Sequence, residues 1–186
     1  NSYSGSHNTG FSVVRYGNVM GSRGSVIPFF MSIAKGDILP ITDNRMTRFM
    51  ISLEEGVKLV WHAFDDMKGG EIYVKKIPSM KIIDVALAVD ENAKQEEIGI
   101  RPGEKLHEQM IGIEDAVYTY EYPRHFKILP SINEWANDKV RIGHGIRVPE
   151  NFTYTSNNNE EWMKISELQD WIEANTPTSG NGRQLH

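Results

Sequence analysis

Cysteine is absent from this sequence of 186 residues. Disulfides, thiolate nucleophiles and cysteine-ligated zinc are therefore excluded together, and a reducing compartment is expected. Positive charge is not in excess either, since 20 Lys and Arg are set against 25 Asp and Glu, for a net charge of −5. Nucleic-acid binding depends on Lys and Arg contacts to phosphate, so no nucleic acid is expected as a partner.

Long apolar runs are missing as well. None approaches the roughly 18 residues that a membrane-spanning helix needs, so no membrane is expected as a partner. No HExxH pair, GxSxG elbow or GxGxxG loop occurs in the chain. The histidines are scattered, and because zinc sites need convergent ligands at motif spacing, no metal is expected. They are His7, His62, His107, His125, His144 and His186.

Apolar segments of strand length alternate with amphipathic segments of helix length, which predicts an α/β protein. Strands are predicted over residues 11–14, 39–41, 46–51, 71–74, 97–100, 117–122 and 126–129. Helices are predicted over residues 26–35, 80–89 and 106–111, after a capping box at residues 52–55 and after another at 166–169. The helix that follows Ser52 has the apolar spacing of an amphipathic helix. Its apolar side carries Val57, Val60, Trp61 and Phe64.

The first predicted strand begins after only ten residues, and those residues, NSYSGSHNTG, are polar and rich in turn formers. A strand needs neighbouring strands. We therefore expect the chain to begin inside a domain and to be the C-terminal part of a longer protein. Residues 1–176 would form part of one domain that includes a ligand-binding lobe, and residues 177–186 would be a disordered tail.

The most informative segment is residues 11–30, where a strand opens into a loop with Gly17, Gly21 and Gly24 and then into an apolar helix. Open α/β sheets build ligand crevices at such strand ends. Several arginines also lie in loops at strand ends, and guanidinium groups are common partners of pyrophosphate. The spacing is equally compatible with surface charges and with an anion-binding site. These arginines are Arg15, Arg23, Arg45, Arg48 and Arg101.

Five ordered segments resemble the UDP-N-acetylglucosamine 4,6-dehydratases that invert C5, the short enzymes that open pseudaminic acid biosynthesis. The segments are RYGNVMGSRGSVIPFF (15–30), LPITDNRMTRFMISLEEGV (39–57), GGEIYVKKIPSMKI (69–82), IGIRPGEKLHEQMI (98–111) and the run Tyr154-x-Ser156-x-x-Asn159-x-x-Trp162. The resemblance covers about residues 11–174. Larger membrane-anchored dehydratases of capsule biosynthesis share the RPGEK element, but the second and third segments are closer to the soluble group.

The resemblance implies an extended short-chain dehydrogenase/reductase fold of Rossmann type, in which an N-terminal half binds NADP and a C-terminal lobe binds the UDP-sugar. It also implies a cytoplasmic homo-oligomer. In such enzymes a hydride passes from C4 of the sugar to NADP, the ketone acidifies C5, water leaves from C6, and the hydride returns to C6. Reprotonation from the other face inverts C5 and gives a UDP-4-keto-6-deoxy-L-arabino-hexosamine.

The resemblance also implies binding roles in the first glycine-containing loop. Asn18 would face the substrate, and Val19 would lie beside the nicotinamide end of NADP. Arg23 and Val26 would hold the UDP part at the start of a helix, where backbone N–H groups favour anions.

Further along the chain, Thr42 would lie beside the uracil or the ribose. Arg101 would neutralise the pyrophosphate, and Glu104 would accept hydrogen bonds from ribose hydroxyls. Arg48 is a second-tier candidate. The last segment adds two candidates for substrate binding whose aromatic surroundings are equally compatible with packing, Asn159 and Trp162.

No catalytic residue is expected in this chain. The resemblance implies that the cofactor-binding glycine loop, the acid/base groups and a tyrosine–lysine pair lie upstream of residue 1. Neither Tyr3 nor Tyr16 is followed by a lysine four residues later. We therefore expect the chain alone to be inactive. Three interpretations stay open: part of an inverting dehydratase, part of a related 4-epimerase or retaining dehydratase, and a non-catalytic module that binds a nucleotide-sugar or a partner.

Overall fold

The computed structural model describes residues 9–33, 38–132 and 135–176. The last two residues of the predicted first helix and the predicted tail at 177–186 lie outside the described residues. No helix in the described part of the chain combines the length and the apolar character needed to cross a membrane.

Short strands alternate with helices along the described residues. The strands are β1 (Val13–Arg15), β2 (Asn18–Val19), β3 (Leu39–Ile41), β4 (Thr47–Ile51), β5 (Ile72–Lys75), β6 (Ser79–Lys81), β7 (Gln95–Glu97), β8 (Gln109–Ile111), β9 (Thr119–Glu121), β10 (His125–Ile128), β11 (Ile146–Arg147) and β12 (Tyr154–Thr155). The helices are α1 (Val26–Ile33), α2 (Leu53–Asp66), α3 (Ile82–Val89), α4 (Ile113–Ala116), α5 (Lys139–Ile142) and α6 (Ile165–Asn175), with a 3-10 turn at Trp135–Asn137. The α/β class expected from the sequence is confirmed.

A mixed sheet of five strands has the order β1-β5-β10-β9-β11. β1 pairs parallel with β5, with Val13 opposite Ile72, and the remaining pairs are antiparallel. Helix α2 lies between β4 and β5 in the sequence and packs on both strands of the parallel pair, β1 and β5. Within the described residues β1 has one neighbouring strand only, so its other edge is open.

A second sheet has the order β2-β4-β6, with Asn18 opposite Met50 in a parallel pair and Thr47 opposite Lys81 in an antiparallel one. Two further strand pairs complete the described architecture. β3 pairs parallel with β7, and β8 pairs antiparallel with β12.

Two main hydrophobic cores lie on either side of the second sheet. One is formed by α1, α3 and α6 with β3, and its fully buried members include Phe30, Leu39 and Leu168. The other lies between β4, β8 and β10 and includes Phe49 and Ile111. The Tyr154 ring contacts the rings of both Phe49 and Phe126 there.

Several predicted elements differ from the structure. Residues 106–111 are predicted as a helix, but β8 occupies Gln109–Ile111, because Met110 and Ile111 are buried and β12 supplies the hydrogen-bonding partner. The strand predicted at 97–100 lies earlier, at β7. The capping box predicted at 166–169 is also wrong: α6 begins at Ile165, and Glu167 accepts a hydrogen bond from the Lys164 backbone N–H at 2.7 Å.

Helix α2 begins as predicted, with the Ser52 hydroxyl accepting a hydrogen bond from the Glu55 N–H at 3.2 Å. The buried side of α2 is not the apolar side predicted from the sequence. The residues that pack against the sheet are small or medium in size, namely Gly56, Leu59 and Ala63. The large apolar side chains point outward, and Trp61 and Phe64 are 64% and 69% exposed. α2 therefore presents an exposed apolar side.

His125 in β10 lies in a partly buried cluster beside α2. Its ring stacks on Tyr122 with centroids 4.6 Å apart, and its Nε2 lies 3.3 Å from Nε2 of His62. Burial, together with the nearby charges of His62, Lys127 and Lys75, lowers the pKa of His125 to about 4, and Asp66 only partly opposes this. The folded protein therefore favours the neutral imidazole.

This arrangement predicts that stability falls as the pH falls. The unfolded chain binds a proton at His125 below about pH 6.5, whereas the folded chain binds it only near pH 4. We expect the melting temperature to decrease between about pH 7 and about pH 5. In His125→Phe, which keeps the ring stack, this decrease should be smaller. His144→Phe, which removes a histidine in edge contact with Tyr122, serves as the control, and equal pH slopes in the two variants would contradict the assignment.

Candidate functional site

A cavity of about 550 Å³ opens between the start of α1, the β3–β4 turn and the 98–104 loop. Five residues singled out in the sequence line it, together with the second-tier candidate Arg48. These are Asn18, Val26, Thr42, Arg101 and Glu104. Residues that are distant in the sequence thus line one cavity. The parallel pair β2–β4 brings Asn18 close to Arg48, and the parallel pair β3–β7 brings Thr42 close to the 98–104 loop.

Asn18 reaches the cavity because the chain passes very close to β4 just before it. Gly17 lies against Phe49, and a Cβ built on Gly17 would be 2.6 Å from the Phe49 carbonyl oxygen and 2.9 Å from Cδ1 of Ile77. Only glycine allows this approach without displacement of the strand. Asn18 also lines a neighbouring cavity of about 480 Å³, so the two spaces share this residue.

A buried polar atom without a partner lies just before α1. The hydroxyl oxygen of Ser25 has no hydrogen-bond partner within the described residues, although buried polar atoms are normally hydrogen-bonded. Its sequence neighbours Gly24 and Val26 line the cavity, but Ser25 itself does not.

Arg48 contributes a guanidinium cation whose position is fixed by hydrogen bonds to the backbone and by contact with Glu108. Its side chain is 13% exposed, and Nη1 donates to the carbonyl oxygens of Thr47 at 2.7 Å and Leu106 at 3.2 Å. Nε lies 3.4 Å from Oε1 of Glu108. Burial lowers the pKa of Arg48, while Glu108 and Glu104 oppose that shift. An anion in the cavity would add a further favourable interaction with this guanidinium.

Arg101 and Glu104 belong to one tight turn. The Glu104 N–H donates to the Arg101 carbonyl oxygen at 3.0 Å, and Oε2 of Glu104 accepts from the Arg101 N–H at 3.0 Å. Gly103 has a φ of 86°, which favours glycine in this turn. The Arg101 guanidinium makes no ion pair within the part of the chain that the structure describes, so its charge is available to a ligand.

The remaining strand-end arginines have other surroundings. Arg15 forms an ion pair with Asp115 at 2.8 Å. Arg45 forms one with Asp43 at 2.7 Å, and this partner lowers the pKa of Asp43 to about 2. Arg23 is exposed and does not line the cavity. Of the five arginines, Arg48 and Arg101 are therefore the two that the fold brings to the cavity.

Two predicted substrate-binding residues, Asn159 and Trp162, lie elsewhere. Nδ2 of Asn159 donates to the Ile77 carbonyl at 2.8 Å and to the Ser79 hydroxyl at 3.0 Å, and the Trp162 indole donates to the Asn159 carbonyl at 2.9 Å. These contacts attach the segment before α6 to β6. Asn159 lines a smaller cavity of about 280 Å³.

Val19, predicted beside a nicotinamide, packs partly buried against the core that contains Phe49, and it pairs with Ile51. The apolar wall of the main cavity is not singled out by the sequence. Phe29, 44% exposed, and Ile98 form part of it. The exposure of Phe29 could have been predicted from the adjacent Phe29 and Phe30 of α1, because a helix that buries Phe30 presents Phe29 on another side.

The lining combines two guanidinium groups, one carboxylate, two neutral hydrogen-bonding side chains and an apolar wall. Such a cavity suits a ligand with an anionic part, hydroxyl groups and a flat or apolar part. Among the described residues, no group of three or more histidine, aspartate or glutamate side chains is arranged to hold a metal ion.

Comparisons with known proteins give related sequences of greater length. A family model described as polysaccharide biosynthesis protein matches residues 1–130. A Campylobacter jejuni protein named UDP-N-acetylglucosamine 4,6-dehydratase (inverting) is 50% identical over 179 residues, covering 92% of this chain and 54% of its own. A UDP-glucose 4-epimerase of Rickettsia canadensis is 41% identical over 121 residues, covering 62% and 36%. The X-ray structure of Pen from Bacillus thuringiensis matches with a TM-score of 0.74 and 35% identity, covering 92% and 52%. The chain thus spans about half the length of the curated dehydratase relatives that it matches.

The close approach at Gly17 generates a prediction for stability. In Gly17→Ala the new methyl group would overlap Phe49 and displace Asn18, and overpacking of this kind costs about 1–3 kcal/mol of unfolding free energy. Urea denaturation measures it. Gly56→Ala is the matched control, because a Cβ there meets nothing within 4 Å and alanine should stabilise α2 by about 0.5–1 kcal/mol. Equal stability of Gly17→Ala and the unchanged chain would contradict the packing described.

Proposed function

The chain belongs to the polysaccharide biosynthesis protein family, and we propose that it is the UDP-sugar-binding part of a UDP-N-acetylglucosamine 4,6-dehydratase (inverting). The observation that carries the proposal is the cavity in which Arg48, Arg101 and Glu104 meet Asn18 and Thr42. The 50% identity to the Campylobacter jejuni dehydratase supports the choice of substrate, since it extends over 92% of this chain.

The UDP part would lie along the main cavity. Arg101 and Arg48 would neutralise the pyrophosphate, because desolvated guanidinium groups form strong charge-assisted hydrogen bonds to phosphate oxygens. Oε1 of Glu104 takes no part in the hydrogen bond that Oε2 makes within the turn, and it would accept hydrogen bonds from ribose hydroxyls. Thr42 and the Phe29 wall suit the uracil. Val26 would receive a phosphate or ribose oxygen at the start of α1.

The sugar would lie near Asn18, where the two cavities adjoin. A nicotinamide cofactor, which we take to be NADP, supplies the hydride chemistry of this reaction when bound. In this chain only Val19 is proposed to contact it, and no cofactor phosphate site is proposed among the described residues. The proposed function of this chain is therefore to bind the UDP part and to position the hexosamine ring beside Asn18. Arg23, Asn159 and Trp162 stay as predicted contacts.

We also propose that residues 1–176 are the C-terminal portion of one short-chain dehydrogenase/reductase domain, and that an N-terminal half binds NADP and contributes the catalytic groups. The open edge of β1 and the exposed apolar side of α2 support this, because both are surfaces that another strand and helix could cover. The complete enzyme would be a cytoplasmic homo-oligomer that supplies a keto-sugar to pseudaminic acid and glycan biosynthesis.

A second candidate is a UDP-sugar 4-epimerase, favoured by the 41% identity to the Rickettsia canadensis epimerase. It would use the same UDP cavity and the same first oxidation at C4. The two candidates differ in product: dehydration removes water from the hexosamine, whereas epimerisation leaves the mass unchanged. A non-catalytic nucleotide-sugar-binding module would form neither product.

Loss of the Arg101 guanidinium should weaken UDP binding. In Arg101→Ala we expect the dissociation constant for UDP, measured by isothermal titration calorimetry, to rise by roughly tenfold or more, since a charged hydrogen bond contributes about 1.5–3 kcal/mol. Arg45→Ala is the matched control, because Arg45 is paired with Asp43 and does not line the cavity. An affinity that is unchanged by Arg101→Ala would remove this residue from the site.

The chain alone should not dehydrate its proposed substrate. Incubation with UDP-N-acetylglucosamine and NADP, followed by mass spectrometry, should give no species lacking one water. Addition of the N-terminal half of the Campylobacter jejuni dehydratase, as a co-expressed chain or a fusion, is expected to restore dehydration. Turnover by the chain without that half would disprove the proposed division of labour.

A further inference from the structure

We propose that Thr47 and Ser156 are positioning residues for UDP: their paired hydroxyls hold residues 106–108 in place and thereby set the position of the Arg101–Glu104 turn. The inference rests on the proposed function for the identity of the ligand. Neither side chain lines the main cavity. Their effect would therefore reach the ligand through the chain that joins them to the turn.

The two hydroxyls are buried and lie 2.6 Å apart, with Thr47 3% and Ser156 0% exposed. The Ser156 hydroxyl also lies 3.1 Å from the Thr47 carbonyl oxygen, and Nδ1 of His107 lies 2.8 Å from the Thr47 hydroxyl. If Ser156 donates to that carbonyl, the Thr47 hydroxyl donates to Ser156 and Nδ1 of His107 is a donor. If Ser156 donates to the Thr47 hydroxyl, the Thr47 hydroxyl donates to Nδ1. In both arrangements each hydroxyl proton has an acceptor within the group.

This group is attached directly to residues 106–108. The Ser156 hydroxyl accepts from the Glu108 N–H at 2.9 Å, and the Ser156 N–H donates to the Glu108 carbonyl at 2.8 Å. On the other side, the Leu106 carbonyl accepts from the Thr47 N–H at 3.1 Å. Three consecutive residues are thus held between β4 and the segment that follows β12.

The Arg101–Glu104 turn has much weaker support of its own. Both residues are exposed, and the backbone hydrogen bonds of the turn are internal to it. Before the turn, the Ile98 N–H donates to the Ile41 carbonyl at 2.8 Å. After the turn, the next attachment is Leu106. The position of Arg101 and Glu104 therefore depends on two anchors, and the Thr47–Ser156 pair is the core of the second.

Removal of the pair should let the turn move without removing any group that contacts UDP. Thr47→Val keeps the shape and the β-branched side chain but removes the hydroxyl. It takes away the Thr47 contact of Nδ1 of His107 and one of the three contacts of the Ser156 hydroxyl. Thr47→Ser keeps the hydroxyl. The two variants together separate the hydrogen bonds from the packing.

The test measures the dissociation constant for UDP by calorimetry and the melting temperature for each variant. We expect Thr47→Val and Ser156→Ala to weaken UDP binding about fivefold or more, and Thr47→Ser to bind nearly as the unchanged chain does. Tyr154→Phe is the matched control, since it removes a buried hydroxyl whose hydrogen bonds, among the described residues, are to the Ile77 backbone alone. It should lower the melting temperature and leave the UDP affinity unchanged. Folded Thr47→Val with unchanged affinity would overturn the proposal.

Hydrogen exchange without nucleotide gives an independent reading. Backbone amides of residues 101–108 should exchange faster in Thr47→Val than in the unchanged chain, and Thr47→Ser should restore the slow exchange. If the unchanged chain binds no UDP, the proposed function fails. Unchanged exchange at residues 101–108 would overturn the positioning role alone. If Ser156→Ala does not fold, the two Thr47 variants still decide the outcome.

Discussion

The structure depends on the placement of β4 between two hydrophobic cores. Successive side chains of a strand point to opposite sides. Phe49 and Ile51 enter the core around Tyr154, whereas Met50 enters the core formed by α1, α3 and α6. Arg48, on the same side as Met50, reaches the cavity. A shift of one residue would exchange these sides, so the packing of both cores fixes where the cation lies.

Most strands and helices follow from the sequence because their signals are local. Ser52 and Glu55 define the start of α2, and short apolar runs define β4, β5 and β10. The error at residues 106–111 arises because the partner strand β12 lies more than forty residues away, and a short apolar run carries no sign of it. The apolar spacing in α2 likewise identifies an apolar side of the helix, but it does not tell which side packs against the sheet.

The sequence likewise predicts the candidate site only in part. Loops at strand ends with arginines suggest an anion site, and Arg101 and Arg48 do line a cavity. The sequence does not distinguish them from Arg15, whose partner Asp115 is one hundred residues away. Asn159 and Trp162 belong to a recognisable run, yet their hydrogen bonds attach a segment to β6. A motif thus marks residues that act together, while the fold decides whether they act on a ligand or on the chain.

The exposed apolar side of α2 and the open edge of β1 have a consequence for the behaviour of the chain in solution. An unpaired strand edge can recruit the edge of a second molecule, and apolar side chains beside it strengthen that contact. Trp61 and Phe64 are the side chains that would take part. Self-association at this surface would depend on protein concentration, and light scattering across a dilution series would reveal it. The surface that we propose an N-terminal half to cover would thus also govern colloidal stability.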